Sequence, residues 1–478
     1  MPTRRDALAQ LAALAAAAAL PRSAWPFRVA ASDPLDGTIA DYVAGLRRGD
    51  WTAAEITQRA QERCRTIGSR LRAIDALSRT ALAEAHAADA RRKAGTLRGP
   101  LDGVPVFAKS IYDMQGLPTT ASSAEWARLF PDPVQRDALE VARLRAAGAI
   151  VLGKTAADDF AYRGVGTSSY TGQVLNPHDP TGIRTPGGSS AGSAVAVAEG
   201  MAFAALGTDD GGSNRIPAVC TGVVGVKPTF GLVPRTGVIP TWPYLDTHGP
   251  LARTVADAAL LLSVIAGADA SDPLALTIAF DNAPLAALRD DALAGVRLGV
   301  VEAHVPRAQM SAEALVTWDR AVAELRAAGA TVEPYAPPVT LQTYRDAFTA
   351  AARERGDVAP DSRSPVPTAN ALYLYFAGRT NDPRAAVRRG YAAYRAFYDV
   401  LPERFEDCEP LLERPMIADA AGLSFARSRA VVVASLEKSM HASGIAAMVY
   451  PTMPFNAFSL AEGWPDVRTP LGYGNWLG

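Results

Sequence analysis

Two stretches rich in glycine and serine hold residue types with which a chain can do chemistry. The first is Pro186-Gly-Gly-Ser189-Ser190-Ala-Gly192-Ser193, and the second is Gly207-Thr-Asp209-Asp210-Gly211-Gly212-Ser213-Asn-Arg215. A serine hydroxyl is a poor nucleophile until a neighbour takes its proton, so serines in such turns direct attention to bases. Lysine is scarce here: Lys93, Lys109, Lys154, Lys227 and Lys438 are five of 48 basic residues, and arginine supplies the rest. Arginine does not give up its proton, so a chain this poor in lysine can keep one where an amine must become neutral. His248, His304 and His441 follow the first stretch and are the competing bases.

Two shorter motifs fail on context. Gly148-Ala-Ile-Val-Leu-Gly153-Lys154-Thr155 satisfies the phosphate-loop pattern, but the residues between its glycines read as the strand itself and cannot curl around an anion. Gly188-Ser-Ser190-Ala-Gly192 satisfies the nucleophile-elbow pattern of α/β-hydrolases, yet that reading leaves the second Gly-Ser stretch unexplained. Lys154 and Lys227 read as structural, His178 and His248 as loop or packing residues, and Cys220 as a small buried residue.

A longer match remains. The two stretches are followed by Gly222-Val-Val-Gly-Val-Lys227-Pro228-Thr229 and Asp246-Thr-His-Gly-Pro250-Leu-Ala-Arg-Thr254, and preceded by Gly103-Val-Pro-Val-Phe-Ala-Lys109. Together they closely resemble the amidase signature family of serine hydrolases, over roughly Thr38 to Pro454. The resemblance implies a Ser-cisSer-Lys triad: Ser213 as nucleophile, Ser189 as the bridging serine after a cis Gly188–Ser189 peptide, and Lys109 as base. The chemistry is coherent. Lysine is a base only when neutral, which demands burial, and the apolar approach Val104-Pro-Val-Phe-Ala108 offers it. Asp210, Gly211, Gly212 and Ser213 present successive backbone N–H groups to one oxyanion. Asp209 and Arg215 are expected to pair and fix this loop. The implied reaction needs no metal and no organic cofactor; its partner is a small-molecule or peptide amide substrate. Asp210 and Asn214 depart from the family pattern, and a carboxylate at 210 disfavours acidic substrates if it points into the site.

The elements that must position these residues alternate between helix and strand. Thr52-Ala-Ala-Glu55 reads as a capping box opening a helix to about Cys64, and a second helix runs from about Ser78 to Lys93. Gly103 to Ala108 is a short strand leading to Lys109. Ala138 to Ala147 is a helix feeding the strand Ala149 to Leu152, and Ala312 to Ala328 a helix feeding the strand Ala330 to Pro334, with Val296 to Val301 as another strand. From about Thr155 to Val238 small residues dominate, as in loops that carry function. Asp382 to Ser439 reads as helical and Arg-rich, a solvated face. The fold class is α/β: a single layered domain over 32–478 with a mixed central β-sheet covered by helices on both faces. After Val449-Tyr-Pro-Thr-Met-Pro454 the resemblance implies a further apolar segment completing the core sheet. The chain stops at Trp476-Leu477-Gly478, so its C-terminal part is expected to be incomplete, with an exposed edge.

Residues 1–31 read as a signal peptide: Thr3-Arg4-Arg5, an apolar run from Ala7 to Leu20, then Pro21, with Val29-Ala30-Ala31 at the cleavage position. The paired arginines resemble a twin-arginine signal. The run is shorter than the roughly 20 apolar residues a membrane span requires, so export to the periplasm or medium through that machinery is expected rather than a stable anchor. Composition narrows the class further. Of 478 residues, 49% are hydrophobic, enough for a large core, and 48 basic against 49 acidic residues leave no field to gather nucleic acid. Cys64, Cys220 and Cys408 are too dispersed for a clustered zinc site and leave room for one disulfide at most. The expected function is thus amide hydrolysis through a serine acyl-enzyme. The alternatives are an enzyme like the glutaminyl-tRNA amidotransferase A-subunit, which the export signal opposes, and an inactive or truncated amidase-like protein.

Overall fold

The computed structural model describes residues 33–461 apart from 180, 278–287, 290, 341 and 456. The signal peptide reading and the C-terminal residues Trp476 to Gly478 lie outside them. The strands are β1 (Ile74–Leu77), β2 (Pro105–Lys109), β3 (Ile150–Thr155), β4 (Thr167–Ser168), β5 (Gly172–Gln173), β6 (Ala204–Thr208), β7 (Val224–Gly225), β8 (His248–Ala252), β9 (Arg297–Val300), β10 (Thr331–Pro334) and β11 (Ala447–Val449).

Six of them form the central sheet in the order β1-β3-β2-β6-β8-β7. The inner strands β3, β2 and β6 run parallel, and β1, β8 and β7 join them antiparallel. The sheet is therefore mixed, as the sequence implied. Its inner strands read as unbroken apolar runs because both faces are covered: Val106, Phe107, Val151, Leu152, Ala205 and Leu206 are all fully buried. Helices Ala81–Ala94, Leu139–Ala146, Ala191–Ala198 and Val255–Ile265 pack on it. The Thr52 hydroxyl accepts from the Glu55 N–H at 3.1 Å, so Thr52 caps the start of the helix Ala53–Arg63, the N-cap half of the expected capping box.

The glycine-lysine-threonine run read as part of a false phosphate loop lies inside β3. Gly153 is required there by β1, since a Cβ on it would fall 2.1 Å from the Ala76 carbonyl oxygen. The strands expected near Val296 and Ala330 do not join the central sheet. They become β9 and β10 of a separate parallel sheet, order β10-β9-β11, with its own core of Leu298, Val300, Trp318 and Val332.

The Arg-rich segment from Asp382 is only partly a solvated face. Helix Pro383–Arg395 turns Arg384 and Arg388 outward, but Tyr391 and Tyr394 inward, with Tyr398 just beyond it. The Tyr394 hydroxyl donates to the Pro240 carbonyl at 2.9 Å and the Tyr398 hydroxyl to the Phe160 carbonyl at 2.5 Å. Reading arginine content alone overlooked these rings, whose large apolar area drives that face into the core.

Candidate active site

The carboxyl ends of parallel strands are where an open α/β sheet offers a crevice, and β2 and β6 end there with Lys109 and Thr208. Lys109 is fully buried, and its ammonium nitrogen Nζ lies 2.7 Å from Ser189 Oγ and 2.8 Å from Thr208 Oγ1. Burial, which penalises the charged amine, lowers Lys109 from 10.5 to about 8, against the opposing pull of nearby carboxylates that include Asp158 and Asp209.

Ser189 is carried on a turn that tolerates only glycine before it. The Gly188–Ser189 peptide is cis, and a Cβ on Gly188 would sit 2.2 Å from Asp158 Oδ2. Asp158 in turn accepts from the Thr167 N–H at 2.9 Å, and its own N–H donates to the Ser189 carbonyl at 3.3 Å. The helix Ala191–Ala198 that follows is pinned over the sheet by Ser193. Its Oγ lies 2.7 Å from Thr155 Oγ1 and donates to the Leu206 carbonyl at 2.9 Å.

The second turn stands beside the first: the Ser190 N–H donates to the Ser213 carbonyl at 3.1 Å. Asp209, fully buried, organises this turn. It accepts from Arg215 Nε and a terminal guanidinium nitrogen, both at 2.8 Å, and from the Gly212 N–H at 2.7 Å. Burial by itself raises the Asp209 carboxyl, but Arg215, Lys227 and the Gly212 N–H outweigh it and hold it at about 2. The Asp209–Arg215 pair therefore takes the form its sequence position implied. Lys227, read as merely structural, is one of the cations acting on it. The Gly212 N–H is committed to Asp209. Among the described residues nothing accepts from the N–H groups of Asp210, Gly211 or Ser213, which remain available to a ligand.

The two departures from the family pattern both have buried side chains. Asn214 is a clamp: Oδ1 accepts from Ser190 Oγ at 3.2 Å, while Nδ2 donates to the carbonyls of Val226 at 3.0 Å and Gly249 at 3.3 Å. Asp210 hydrogen-bonds the carboxyl of Asp246. Sequence reasoning missed Thr208, Asp158 and Asp246 as neighbours of Lys109. Thr208 and Asp246 both stood inside matched stretches, whereas Asp158 had no local signal.

The competing bases lie elsewhere, His441 exposed in the last turn of the helix Ala420–Ser443. His248 Nδ1 lies 2.6 Å from Glu140 Oε1, both groups buried, and the His304 ring meets Tyr450. Ser190 Oγ bonds Asn214 and the Thr208 carbonyl, the latter at 3.3 Å. Lys154 Nζ donates to the Pro118 carbonyl at 2.9 Å and to Thr119 Oγ1 at 3.1 Å, a structural role. Cys64, Cys220 and Cys408 are buried free thiols, and burial pushes Cys220 up to about 12, far from a thiolate nucleophile. A cavity of about 820 Å³ adjoins the site, lined by Asp246 and His248 but not by Lys109, Ser189 or Ser213.

Known proteins share this arrangement of elements. The structure resembles that of native peptide amidase from Stenotrophomonas maltophilia, with 31% identity and a TM-score of 0.74 over 95% of this chain and 89% of that one. Among curated proteins the chain is 39% identical, over 65% of its length, to the Glutamyl-tRNA(Gln) amidotransferase A-subunit of Paramagnetospirillum magneticum. It is 44% identical, over 55% of its length, to the protein of that name from Chloroflexus aurantiacus. The matches span 63% and 53% of those two relatives. The family model described as Amidase matches residues 55–462, and on that match, nearly the whole of the described fold, the chain belongs to the amidase family.

Proposed function

We propose that the protein hydrolyses a carboxamide C–N bond through an acyl-enzyme on Ser213, with Lys109 as base and Ser189 as proton relay. The observation that carries this reading is the 2.7 Å contact of Lys109 Nζ with Ser189 Oγ, both fully buried, beside the turn bearing Ser213. Ser213 Oγ attacks the carbonyl carbon while its proton passes through Ser189 to neutral Lys109. The resulting oxyanion is met by the N–H groups of Asp210, Gly211 and Ser213, which need no reorganisation because Asp209 and Arg215 fix their turn. Collapse breaks the C–N bond, and the leaving ammonia or amine takes the proton back. Water then repeats the sequence on the ester, releasing the acid and restoring Ser213.

Small-molecule and peptide amides are the proposed substrates. The likeness to a peptide amidase over 95% of the chain supports this class. Ammonia release from a peptide amide and from an aliphatic amide, with mass spectrometry of the quenched enzyme, tests it. An acyl adduct on Ser213 is expected, with no turnover in Ser213→Ala and a trace in Ser189→Ala. Full activity of purified Ser213→Ala removes the mechanism. A second reading, one component of an amidotransferase, draws on the 39% identity to relatives of that name. It requires ammonia release from glutamine only when partner subunits are supplied, and little activity on peptide amides alone.

A further inference from the structure

Two carboxyl groups meet beneath the proposed oxyanion turn. Asp246 accepts from the Thr241 N–H at 3.0 Å through Oδ2 and from the Trp242 N–H at 2.7 Å through Oδ1, which fixes it as the acceptor. Asp210 hydrogen-bonds this same carboxylate. Two carboxyl groups in hydrogen-bond contact need a proton between them, and both oxygens of Asp246 already accept from backbone N–H groups, so the proton belongs to Asp210. Among the described residues no N–H or hydroxyl donor reaches Asp210 Oδ1, which is buried, a position in which an anion is costly.

The groups that face Asp210 do not supply a donor. From β2 and the residues after it come Lys109 and Tyr112, from its own turn Asp209, and from the segment 227–246 Lys227, Arg235 and Asp246. From the helical segment beyond Pro383 come Tyr394 and Tyr398. The three phenols donate to carbonyls, Tyr112 to Gly207 at 3.0 Å, Tyr394 to Pro240 and Tyr398 to Phe160. Arg235 pairs with Asp272, and Lys109 serves Ser189 and Thr208. Burial, then the charge of Asp246, push the Asp210 carboxyl well above its ordinary range. The adjoining cavity lined by Asp246 gives the shared proton a route to solvent.

We propose that Asp210 is a positioning residue that works as a neutral acid: its proton ties the Asp210–Ser213 turn to Asp246, and losing that proton releases the turn and ends activity at alkaline pH. The proposal rests on the reading of Lys109 and Ser213 above. Ionisation of Asp210 breaks the hydrogen bond, sets two anions against each other, and displaces the residue whose own N–H meets the oxyanion.

The test is the pH profile of kcat/KM. Deprotonation of Lys109 gives an ascending limb, and ionisation of Asp210 gives a descending one. Asp210→Asn keeps a donor to Asp246 and removes the titration, so its descending limb is expected to vanish. One unit above the wild-type alkaline midpoint, wild type retains about a tenth of its plateau and Asp210→Asn its own full plateau, about a tenfold difference. Infrared spectra of wild type with 13C-labelled aspartate give a readout independent of activity and of the variant's folding. A protonated carboxyl band is expected at neutral pH, lost in step with the descending limb. A descending limb unchanged in Asp210→Asn, no descending limb in wild type, or no protonated band at neutral pH overturns the proposal. Wild-type activity in Lys109→Ala instead overturns the reading on which it rests, whichever way Asp210 behaves.

Discussion

Replacing Lys109 separates a lysine-based mechanism from a histidine-based one. Full burial brings Lys109 to about 8, so at pH 7 roughly a tenth of molecules carry the neutral amine. Activity limited by that amine falls about tenfold for each unit below 8. Lys109→Ala removes the base and is expected to lower kcat by about 10²- to 10⁴-fold, leaving a residue of catalysis from the oxyanion donors and losing the acid limb. Lys109→Met adds a stability readout. The native value lies below the ordinary 10.5, so the unfolded chain binds the proton more tightly. The stability contribution is therefore present above 10.5 and lost as pH falls to about 8; at pH 7 the penalty is about 3 kcal/mol. Losing the hydrogen bonds to Ser189 and Thr208 offsets this by about 1 kcal/mol each. Lys109→Met is thus expected to be slightly more stable than wild type at pH 7 and to lose that advantage by pH 10.5, while being inactive. The assays are initial rates from pH 5 to 10 and urea unfolding at both ends. His248→Ala, His304→Ala and His441→Ala, each checked for folding, are the comparators. Wild-type turnover in Lys109→Ala, with collapse in one histidine variant, refutes the reasoning in favour of an α/β-hydrolase mechanism.

Other perturbations follow from the same geometry. Arg215→Met strands the Asp209 carboxylate, whose side chain is 0% exposed, and is expected to cost about 3–5 kcal/mol in denaturant unfolding together with most activity; an unchanged midpoint counts against the pair as the fixing element. Thr3-Arg4-Arg5 motivates a test of export: Arg4 and Arg5 changed together to Lys are expected to hold folded precursor in the cytoplasm, and undiminished periplasmic recovery contradicts twin-arginine export.

What the sequence determined by itself is chiefly local or motif-borne. The cap at Thr52, the apolar runs of β2 and β3, and the short motifs around Lys109, Ser189 and Ser213 are each written in adjacent residues, because hydrogen-bond capping, tight turns and burial on both faces leave short-range patterns. The family resemblance followed from the same stretches. Only the tertiary structure decided which distant groups meet. The separation of β9 and β10 into a second sheet depends on pairing with β11, far along the chain. Asn214 is only a departure from the family pattern until Val226 and Gly249 are brought to its amide, and the tyrosines of 391–398 are hidden in an Arg-rich composition until Pro240 and Phe160 receive them. Above all, the sequence left open which way Asp210 points. Its environment is set by Asp246 across the turn, and the charge state of a buried carboxyl is fixed by its neighbours and by exclusion of water, neither of which exists until the chain has folded.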